Sequence, residues 1–156
     1  MDVVSRVLKF WYGEEPLDLA ADGNYRTAWF KKNDAFDQAI RSCFENDVLA
    51  AADGKLDDLK ETTAGVLTFC ILLDQFPRNL YRGSPQAFAG DPIALETAKD
   101  AIARGLDQKL GKTRRMFIYL PFEHSENVDD QITAVELFKT LEDEKTYRYA
   151  LEHYYI

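Results

Sequence analysis

The chain contains the run TAGVLTFCILL at residues 63–73, which is apolar on nearly every side when it is wound into a helix. A helix of that kind belongs in the interior of a protein, where its whole surface is buried. We therefore predict that a helix beginning near Thr62 or Thr63 is the central element of the fold. Pro77 is predicted to end it, because proline forces the residue before it out of the helical region.

Helical periodicity dominates the sequence on both sides of this run. No segment alternates polar and apolar residues as a strand does, and no linker-like stretch divides the chain. We predict an all-α fold of about seven or eight helices, an irregular bundle in which residues 1–156 form a single helical domain. Before the central helix we predict a helix at residues 3–11 that ends at a break at 13–16, a helical segment around Tyr25, Trp29 and Phe30, and a helix that is capped by Asn33 or Asp34 and ended by Gly54. After the central helix we predict a helix at residues 92–104 with a cap at Asp91, and a short one at residues 116–120 between a Thr113 cap and a break at Pro121. The last two predicted helices run through Ile132, Val135, Phe138 and Leu141, and over residues 147–155.

Composition excludes several classes of protein. The 156 residues are 46% hydrophobic and 13% aromatic, which is too much apolar bulk for a disordered chain. Asp and Glu number 27 against 19 Lys and Arg, and this acidic excess repels nucleic acids and anionic membranes. The longest apolar run is too short to cross a bilayer. Cys43 and Cys70 are predicted to be buried thiols, so we expect a cytoplasmic protein.

The first polar cluster is the stretch DQFPRNLYRG, which follows the central helix directly and begins at Asp74. Asp74 and Gln75 leave an apolar environment, so the carboxylate there must be paired or strongly desolvated. Arg78 and Arg82 are its natural partners. A fixed guanidinium beside Asn79 would also bind a carboxylate or phosphate of a ligand. The competing interpretation is an internal salt bridge from Asp74 to Arg78 that fixes the helix end.

The second polar cluster is the stretch YLPFEHSE, which ends at Glu126. His124 is flanked by Glu123 and Glu126, a setting that favours the imidazolium or orients the neutral ring as a base. In the competing interpretation His124 is a partly exposed residue beside a helix cap, which is supplied by Ser125 or Asn127.

No metal site and no cofactor are predicted. The chain has two histidines, His124 and His153, and neither belongs to an HExxH motif. It contains no calcium-binding loop pattern and no glycine-rich phosphate loop.

Together these motifs resemble a known family. The segments FWYG at 10–13, LLDQFPRN at 72–79, YRG at 81–83 and YLPFEHSE at 119–126 are similar, in the same order, to the mainly bacterial domain-of-unknown-function family 924. The resemblance extends over nearly the whole chain. It implies a fold similar to that of tetratricopeptide-repeat proteins, built of packed helix pairs without a strict repeat, and it implies no established activity.

The resemblance also predicts a difference at the C-terminal end. Family members usually continue past the position of His153 into an arginine-rich stretch containing the sequence FPHRN, whereas this chain stops at Ile156. If that stretch completes a pocket in longer relatives, an activity inferred from them does not carry over to this chain.

The leading functional hypothesis is a binding module. Stacked helix pairs present a concave surface, and segments 74–82 and 123–126 would line a pocket on it for a small anionic ligand or a peptide. No nucleic-acid or membrane partner is expected, and the oligomeric state is left open. The ligand-binding residues of this hypothesis are Asp74, Gln75, Arg78, Asn79, Arg82 and Glu126.

The alternative hypothesis is a hydrolase-type enzyme with His124 and Glu123 as catalytic residues. His124, oriented by Glu123 or Glu126, would act as the general base, while Arg78 and Arg82 clamp an anionic group of the substrate. In a third hypothesis the two clusters only bond each other and fix the register of the bundle. Binding and catalysis both require the two clusters to meet at one accessible pocket.

Overall fold

The computed structural model describes residues 1–13 and 17–155, and within these ranges every regular element is helical. The all-α prediction is therefore confirmed. Short 3₁₀ turns connect several of the α-helices, at Asp57–Glu61, Pro85–Phe88 and Leu106–Lys109. The α-helices are α1 (Val3–Tyr12), α2 (Thr27–Phe30), α3 (Asp34–Ala52), α4 (Thr63–Cys70), α5 (Phe76–Leu80), α6 (Asp91–Ala103), α7 (Lys112–Glu123), α8 (Val128–Thr140) and α9 (Glu144–Tyr155).

The apolar run forms the centre of the fold, as predicted, but it does not end at Pro77. Residues Ile71–Gln75 make one π-helical turn that joins α4 directly to α5. In this turn the Phe76 N–H donates to the Ile71 carbonyl, five residues back. Pro77 then lies in the first turn of α5, where the missing proline N–H costs little. The π turn is thus the feature that lets the helical path continue past the proline.

Pro121 is also accommodated inside a helix, because α7 continues through it, and the break predicted there is wrong. Thr113 is not the cap of this helix, since Gly111 precedes α7 and Thr113 is buried within its first turn. An interior proline costs a helix about 3 kcal/mol. Burial of side chains such as Phe117 and Phe122 stabilises α7 by roughly 1.5–3 kcal/mol each and offsets that cost.

Side-chain caps begin several helices where the sequence predicts them. Asn33 accepts the Phe36 N–H at the start of α3, which selects it over Asp34 as the cap. Asn127 accepts two backbone N–H groups at the start of α8. Asp91 is not a cap, because Gly90 precedes α6 and Asp91 is its first residue. The break predicted at 13–16 begins with a left-handed Gly13, and its other residues lie outside the described part of the chain.

Gly90 allows α6 to approach the π turn closely. A Cβ atom on Gly90 would lie 2.4 Å from the Leu73 carbonyl oxygen, nearer than real Cβ atoms come to any neighbour. In an α-helix the bond to that carbonyl would come from Pro77, which has no N–H. The first turn of α6, with Asp91, therefore lies against the π turn, which carries Asp74.

The core packs around the central helix, and it draws buried side chains from α1, α3, α6, α7, α8 and α9. Aromatic rings fill the side near α1, where Trp11 stacks on Trp29 with 5.8 Å between ring centroids. The edges of Phe76 and Phe117 meet the same Trp11 ring. The core therefore holds the central helix and α7 side by side, and these two elements carry the two predicted polar clusters.

The two cysteines have different environments. Cys70 is buried in the central helix, as predicted, but Cys43 is exposed, so the prediction of a buried thiol there is wrong. The buried stripe of α3 passes through Ile40, Phe44 and Val48. Cys43 precedes Phe44 and falls outside that stripe.

Helices α8 and α9 follow α7 and pack against one another in succession. The Tyr25 hydroxyl donates to the Asp143 carboxylate and ties the segment before α2 to the turn between α8 and α9. Across residues 1–13 and 17–155, no helix is both long enough and apolar enough to cross a membrane.

Candidate functional site

A cleft of about 810 Å³ opens between the first turn of α6, the C-terminal end of α7 and α9. This volume lies within the usual range for small-molecule sites. Both predicted polar clusters reach it, since Arg78 comes from the first cluster and Glu123, His124 and Glu126 from the second. The cleft is lined by Arg78, Phe88, Asp91, Pro92, Leu95, Pro121, Glu123, His124, Ser125, Glu126, Gln131 and His153.

Asp74 and His124 form a hydrogen-bonded pair at the base of this cleft. The Nδ1 atom of His124 lies 2.8 Å from Oδ1 of Asp74, although 50 residues separate them in the sequence. Asp74 lies in the π turn and is completely buried, whereas the His124 side chain is 16% exposed and borders the cleft. The partner that orients His124 is therefore Asp74. No hydrogen bond joins His124 to Glu123 or Glu126 within the described residues, so the predicted orienting role of those two acids is not seen.

The Asp74 carboxylate is held ionised despite its burial. Burial alone would raise its pKa, but the charge and hydrogen bond of His124, the charge of Arg78 and a bond from Gln75 outweigh it. The pKa of Asp74 therefore lies below its ordinary value of 3.8. An ionised carboxylate only accepts hydrogen bonds, so His124 must carry its proton on Nδ1. The other ring nitrogen, Nε2, makes no hydrogen bond to the described residues.

Arg78 is committed to two carboxylates. Its two terminal nitrogens bind both oxygens of Asp91 at 2.8 and 2.9 Å, in a bidentate pair. The Nη1 atom also lies 3.6 Å from Asp74 Oδ1 and donates to the Asp74 backbone carbonyl. The expected ion pair of Asp74 with Arg78 is thus present, but Asp91 is the closer partner. The Arg78 guanidinium also covers the exposed ring of Phe88, 5.2 Å from its centroid.

Three other predicted residues lie around the edge of this arrangement or away from it. Gln75 donates to Oδ2 of Asp74 at 2.8 Å and so supports the buried carboxylate. Asn79 and Arg82 both bind Asp37 of α3, at 2.8 and 2.7 Å respectively. Neither lines the cleft. The structure therefore separates the first cluster into two parts: Asp74, Gln75 and Arg78 belong to the site, whereas Asn79 and Arg82 bind Asp37 of α3.

Glu123 is the least satisfied charged group of the site. Its side chain is only 6% exposed, and Oε1 has no hydrogen-bond partner among the described residues. Burial raises the pKa of Glu123 above its ordinary value of 4.5, although the neighbouring His153 and His124 act to lower it. His153 Nδ1 lies 3.6 Å from that oxygen, beyond hydrogen-bonding range, and instead donates to the Tyr149 carbonyl at 2.9 Å.

Glu126 and its neighbours form the outer rim. Glu126 is exposed and lines the cleft. Ser125 donates from Oγ to Asp130 at 2.8 Å, so its hydroxyl serves the start of α8 and not His124. Asn127, not Ser125, caps α8. The competing interpretation of the second polar cluster names both residues as possible caps.

A second, smaller cavity of about 300 Å³ lies on the other side of His124, Glu123 and His153. It is lined on that far side mainly by apolar and aromatic groups, among them Trp29 and Tyr149. The two cavities share four polar residues, so those groups border both the wide cleft and the narrow cavity with its aromatic side chains. The shared residues are Arg78, Glu123, His124 and His153.

The charge of the site is acidic. Three carboxylates of the wide cleft, Asp91, Glu123 and Glu126, face one guanidinium, Arg78, which gives a formal charge of −2 with the histidines neutral. Among the described residues no group of three His, Cys, Asp or Glu side chains is arranged to hold a metal ion. The chemistry available is proton transfer at His124, hydrogen bonding at Glu123 and apolar contact with Phe88.

Sequence reasoning missed two members of the site. Asp91 accepts the bidentate bond from Arg78, whereas the sequence predicts that it caps a helix. An Asp directly before a proline is typical of a helix cap, and nothing in that pattern shows that the carboxylate instead pairs with an arginine. His153 borders both cavities from α9, and only packing of that helix against α7 brings it there. No local motif marks His153, so only the tertiary arrangement identifies it.

Comparisons with known proteins agree with this architecture. The solved structure of ATU0120, a protein of unknown function from Agrobacterium tumefaciens, is 35% identical and has a TM-score of 0.87, over 97% of this chain and 80% of that one. No curated protein matches the chain. The family model described as "Bacterial protein of unknown function (DUF924)" matches residues 7–156. The chain therefore belongs to the DUF924 family of bacterial proteins, whose function is unknown.

Proposed function

We propose that this protein is a hydrolase-type enzyme in which His124, oriented by Asp74, acts as a general base on a small molecule bound in the cleft. The observation that carries the proposal is the 2.8 Å bond between a fully buried carboxylate and a histidine that borders an open cavity. A buried charge in the core is costly unless it is paired, and this one is paired to a ring that reaches the cleft.

The Asp74–His124 pair and its position at the end of α7 both support a general base. Asp74 fixes the ring and its tautomer, so that the Nε2 lone pair is available to a bound molecule. When Nε2 takes a proton from water, the resulting imidazolium is stabilised by the Asp74 charge. His124 also lies at the C-terminal end of α7, where the helix dipole favours a positive charge. The hydroxide formed from that water attacks the substrate, and Nε2 returns its proton to the leaving group.

The arginines have a different role from the one the sequence predicts. Arg82 binds Asp37 outside the cleft, and Arg78 is already bound to Asp91 and close to Asp74. We propose that Arg78 is a positioning residue that holds the two carboxylates in place. An anion clamp at Arg78 would require a ligand to displace the bidentate Asp91.

The test is hydrolysis of p-nitrophenyl acetate, a small activated ester, by the wild type, Asp74→Asn, His124→Asn and a control. The control is Asp37→Asn, which removes a paired carboxylate of α3 outside the cleft. We expect His124→Asn and Asp74→Asn to lower the protein-dependent rate by roughly 100-fold, and Asp37→Asn to leave it nearly unchanged. Equal rates in wild type and His124→Asn would refute the proposal.

A second candidate is the binding module for a peptide or small anionic ligand, and the exposed Phe88 favours it. Its ring is 57% exposed, stacks under Arg78 and lines the cleft beside Pro92 and Leu95. An apolar surface next to a guanidinium suits a short chain that ends in a carboxylate. Butyrate is the simplest such probe. Saturable butyrate binding that is lost in Arg78→Ala, with no ester hydrolysis, would favour this candidate over the enzyme.

We also propose that the helix pairs stack as in tetratricopeptide-repeat proteins and that the chain is one domain. Successive contacts of α7 with α8 and of α8 with α9 support the stacking. A shared core with side chains from α1 to α9 supports the single domain. The cytoplasmic location stays a prediction from composition.

A further inference from the structure

Glu123 shows a mismatch between its burial and its bonding. The side chain is more than nine-tenths buried, yet its Oε1 atom accepts no hydrogen bond within the described residues. A buried carboxylate oxygen without a donor is unfavourable, so a donor from a molecule bound against the Glu123 side chain would stabilise it. Glu123 lines both cavities and is therefore within reach of a bound molecule.

No Lys or Arg of the described residues pairs with this oxygen, and Nδ1 of His153 lies 3.6 Å from it. Arg78 is the only Lys or Arg that lines either cavity within the described residues, and it is bound to Asp91. His153 uses its Nδ1 hydrogen for the Tyr149 carbonyl, so a neutral His153 does not satisfy Glu123. The excess of carboxylates over guanidinium in the cleft adds a negative potential in the same place.

We propose that Glu123 binds a protonated amine of the substrate, which makes the substrate class a small primary amine or a molecule that carries one. That this amine is a substrate rests on the proposed function, whereas its binding does not. The desolvation that raises the pKa of Glu123 is relieved when an ammonium ion supplies the missing charge and donor. Glu123 and His124 are consecutive and both border the cleft, so a ligand fixed at one lies beside the other.

The surroundings of Glu123 also fit an ammonium group on an apolar chain. Trp29, Phe30 and Tyr149 line the narrow cavity on one side of Glu123. Aromatic faces attract cations and bury methylene groups at the same time. An anion at this position would meet the Glu123 charge, and Arg78 of the same cavity wall is already bound to Asp91, so the amine is favoured over a carboxylate.

The test is an NMR titration with three probes of the same length: n-butylammonium, 1-butanol and butyrate. We expect saturable binding of n-butylammonium with a dissociation constant in the millimolar range, weaker than the roughly micromolar ceiling for so few atoms. Binding of the neutral alcohol is expected to be at least about 10-fold weaker, since it lacks the charge. Shifted amide signals should centre on residues 123, 124 and 153.

Two variants decide whether Glu123 carries this selectivity. Glu123→Gln is expected to weaken n-butylammonium binding by at least about 10-fold, since the ammonium then meets a neutral amide in place of a carboxylate. Glu136→Gln removes the same charge from the exposed side of α8 and is expected to change nothing. The proposal is overturned by unchanged affinity in Glu123→Gln, by stronger binding of butyrate than of the amine, or by no saturable amine binding.

His124→Asn separates this proposal from the proposed function. Amine binding that persists in His124→Asn together with an unchanged ester hydrolysis rate would refute the general base and leave the amine site standing. Loss of hydrolysis in His124→Asn without amine selectivity in the wild type would refute the amine site alone.

Discussion

Replacing Glu123 by glutamine is expected to stabilise the folded protein at pH 8, by about 1 kcal/mol. The Glu123 side chain is only 6% exposed, and one of its carboxylate oxygens accepts no hydrogen bond within the described residues. The folded protein therefore holds a charge that water solvates better in the unfolded chain. Glutamine has nearly the same shape and no charge. The substitution therefore removes a cost of folding without leaving a cavity.

The magnitude follows from what the substitution changes. An unpaired buried polar group costs about 1–3 kcal/mol, more when it is charged. Glutamine still leaves a polar atom at the same place, so only the part due to charge is recovered, and we take this as about 1 kcal/mol. For a chain of this size that corresponds to a rise in Tm of roughly 2–4 °C.

The direction of this stability change also follows from its dependence on pH. The pKa of Glu123 is raised in the folded protein above 4.5, mainly by burial, so the folded state keeps the proton to higher pH than the unfolded state. The stability that this proton contributes is complete below about pH 4.5 and is lost as the pH rises through the folded-state pKa. The advantage of Glu123→Gln should therefore be absent near pH 4 and present at pH 8.

Urea unfolding at pH 4 and pH 8 measures this advantage as a shift in midpoint at constant slope. Glu136→Gln is the matched control, and its free energy of unfolding is expected to stay within about 0.5 kcal/mol of wild type. A lower stability of Glu123→Gln at pH 8 would mean that the Glu123 carboxylate has a stabilising partner within the protein. That result would refute the reasoning, and with it the need for an external cation.

Three further substitutions test the framework of the site. Arg78→Ala is expected to lower the free energy of unfolding by about 2–3 kcal/mol, because it leaves Asp74 and Asp91 without their shared cation; urea denaturation measures this. Gly90→Ala should cost about 1–3 kcal/mol in the same assay, since its Cβ must move at least 0.6 Å from the Leu73 oxygen to reach 3.0 Å. The lowered pKa of Asp74 contributes stability that is present above about pH 3.8 and lost as pH falls through the folded-state pKa. In acid unfolding, the free energy of unfolding of Asp74→Asn should therefore fall less steeply with decreasing pH than that of the wild type.

The helices were largely predictable because their signal is local. Apolar residues recur at helical spacing, and caps such as Asn33 and Asn127 identify themselves by residue type and position. The two helix breaks that the sequence wrongly predicts are at Pro77 and Pro121. A π turn in one case and burial of the surrounding helix in the other compensate for the missing N–H, and both depend on tertiary packing.

The meeting of the two polar clusters was also predictable, because both follow or end buried helices that pack side by side. The pairing within the site was not. The sequence directed His124 to its neighbours Glu123 and Glu126, whereas the structure pairs it with Asp74, 50 residues away. Which acid reaches the ring depends on how α7 lies across the π turn, and no sequence spacing encodes that distance.

The partners of the arginines show the same limitation. Arg78 and Arg82 are one helical turn apart, yet one binds Asp91 of α6 and the other Asp37 of α3. Side chains four residues apart on a long helix would share a face. Here α5 ends at Leu80 and the chain turns before Arg82, so the two guanidinium groups reach different helices.

Whether His124 can act as a general base depends on which of its ring nitrogens carries the hydrogen. Long-range ¹H–¹⁵N NMR on protein labelled with ¹⁵N-histidine distinguishes the two ring nitrogens, and with two histidines in the chain a His153→Asn variant assigns the signals. We expect that the neutral ring carries its hydrogen on Nδ1, where Asp74 accepts it, and leaves Nε2 unprotonated. A neutral ring with the hydrogen on Nε2 would contradict this expectation, since no base would then face the cleft.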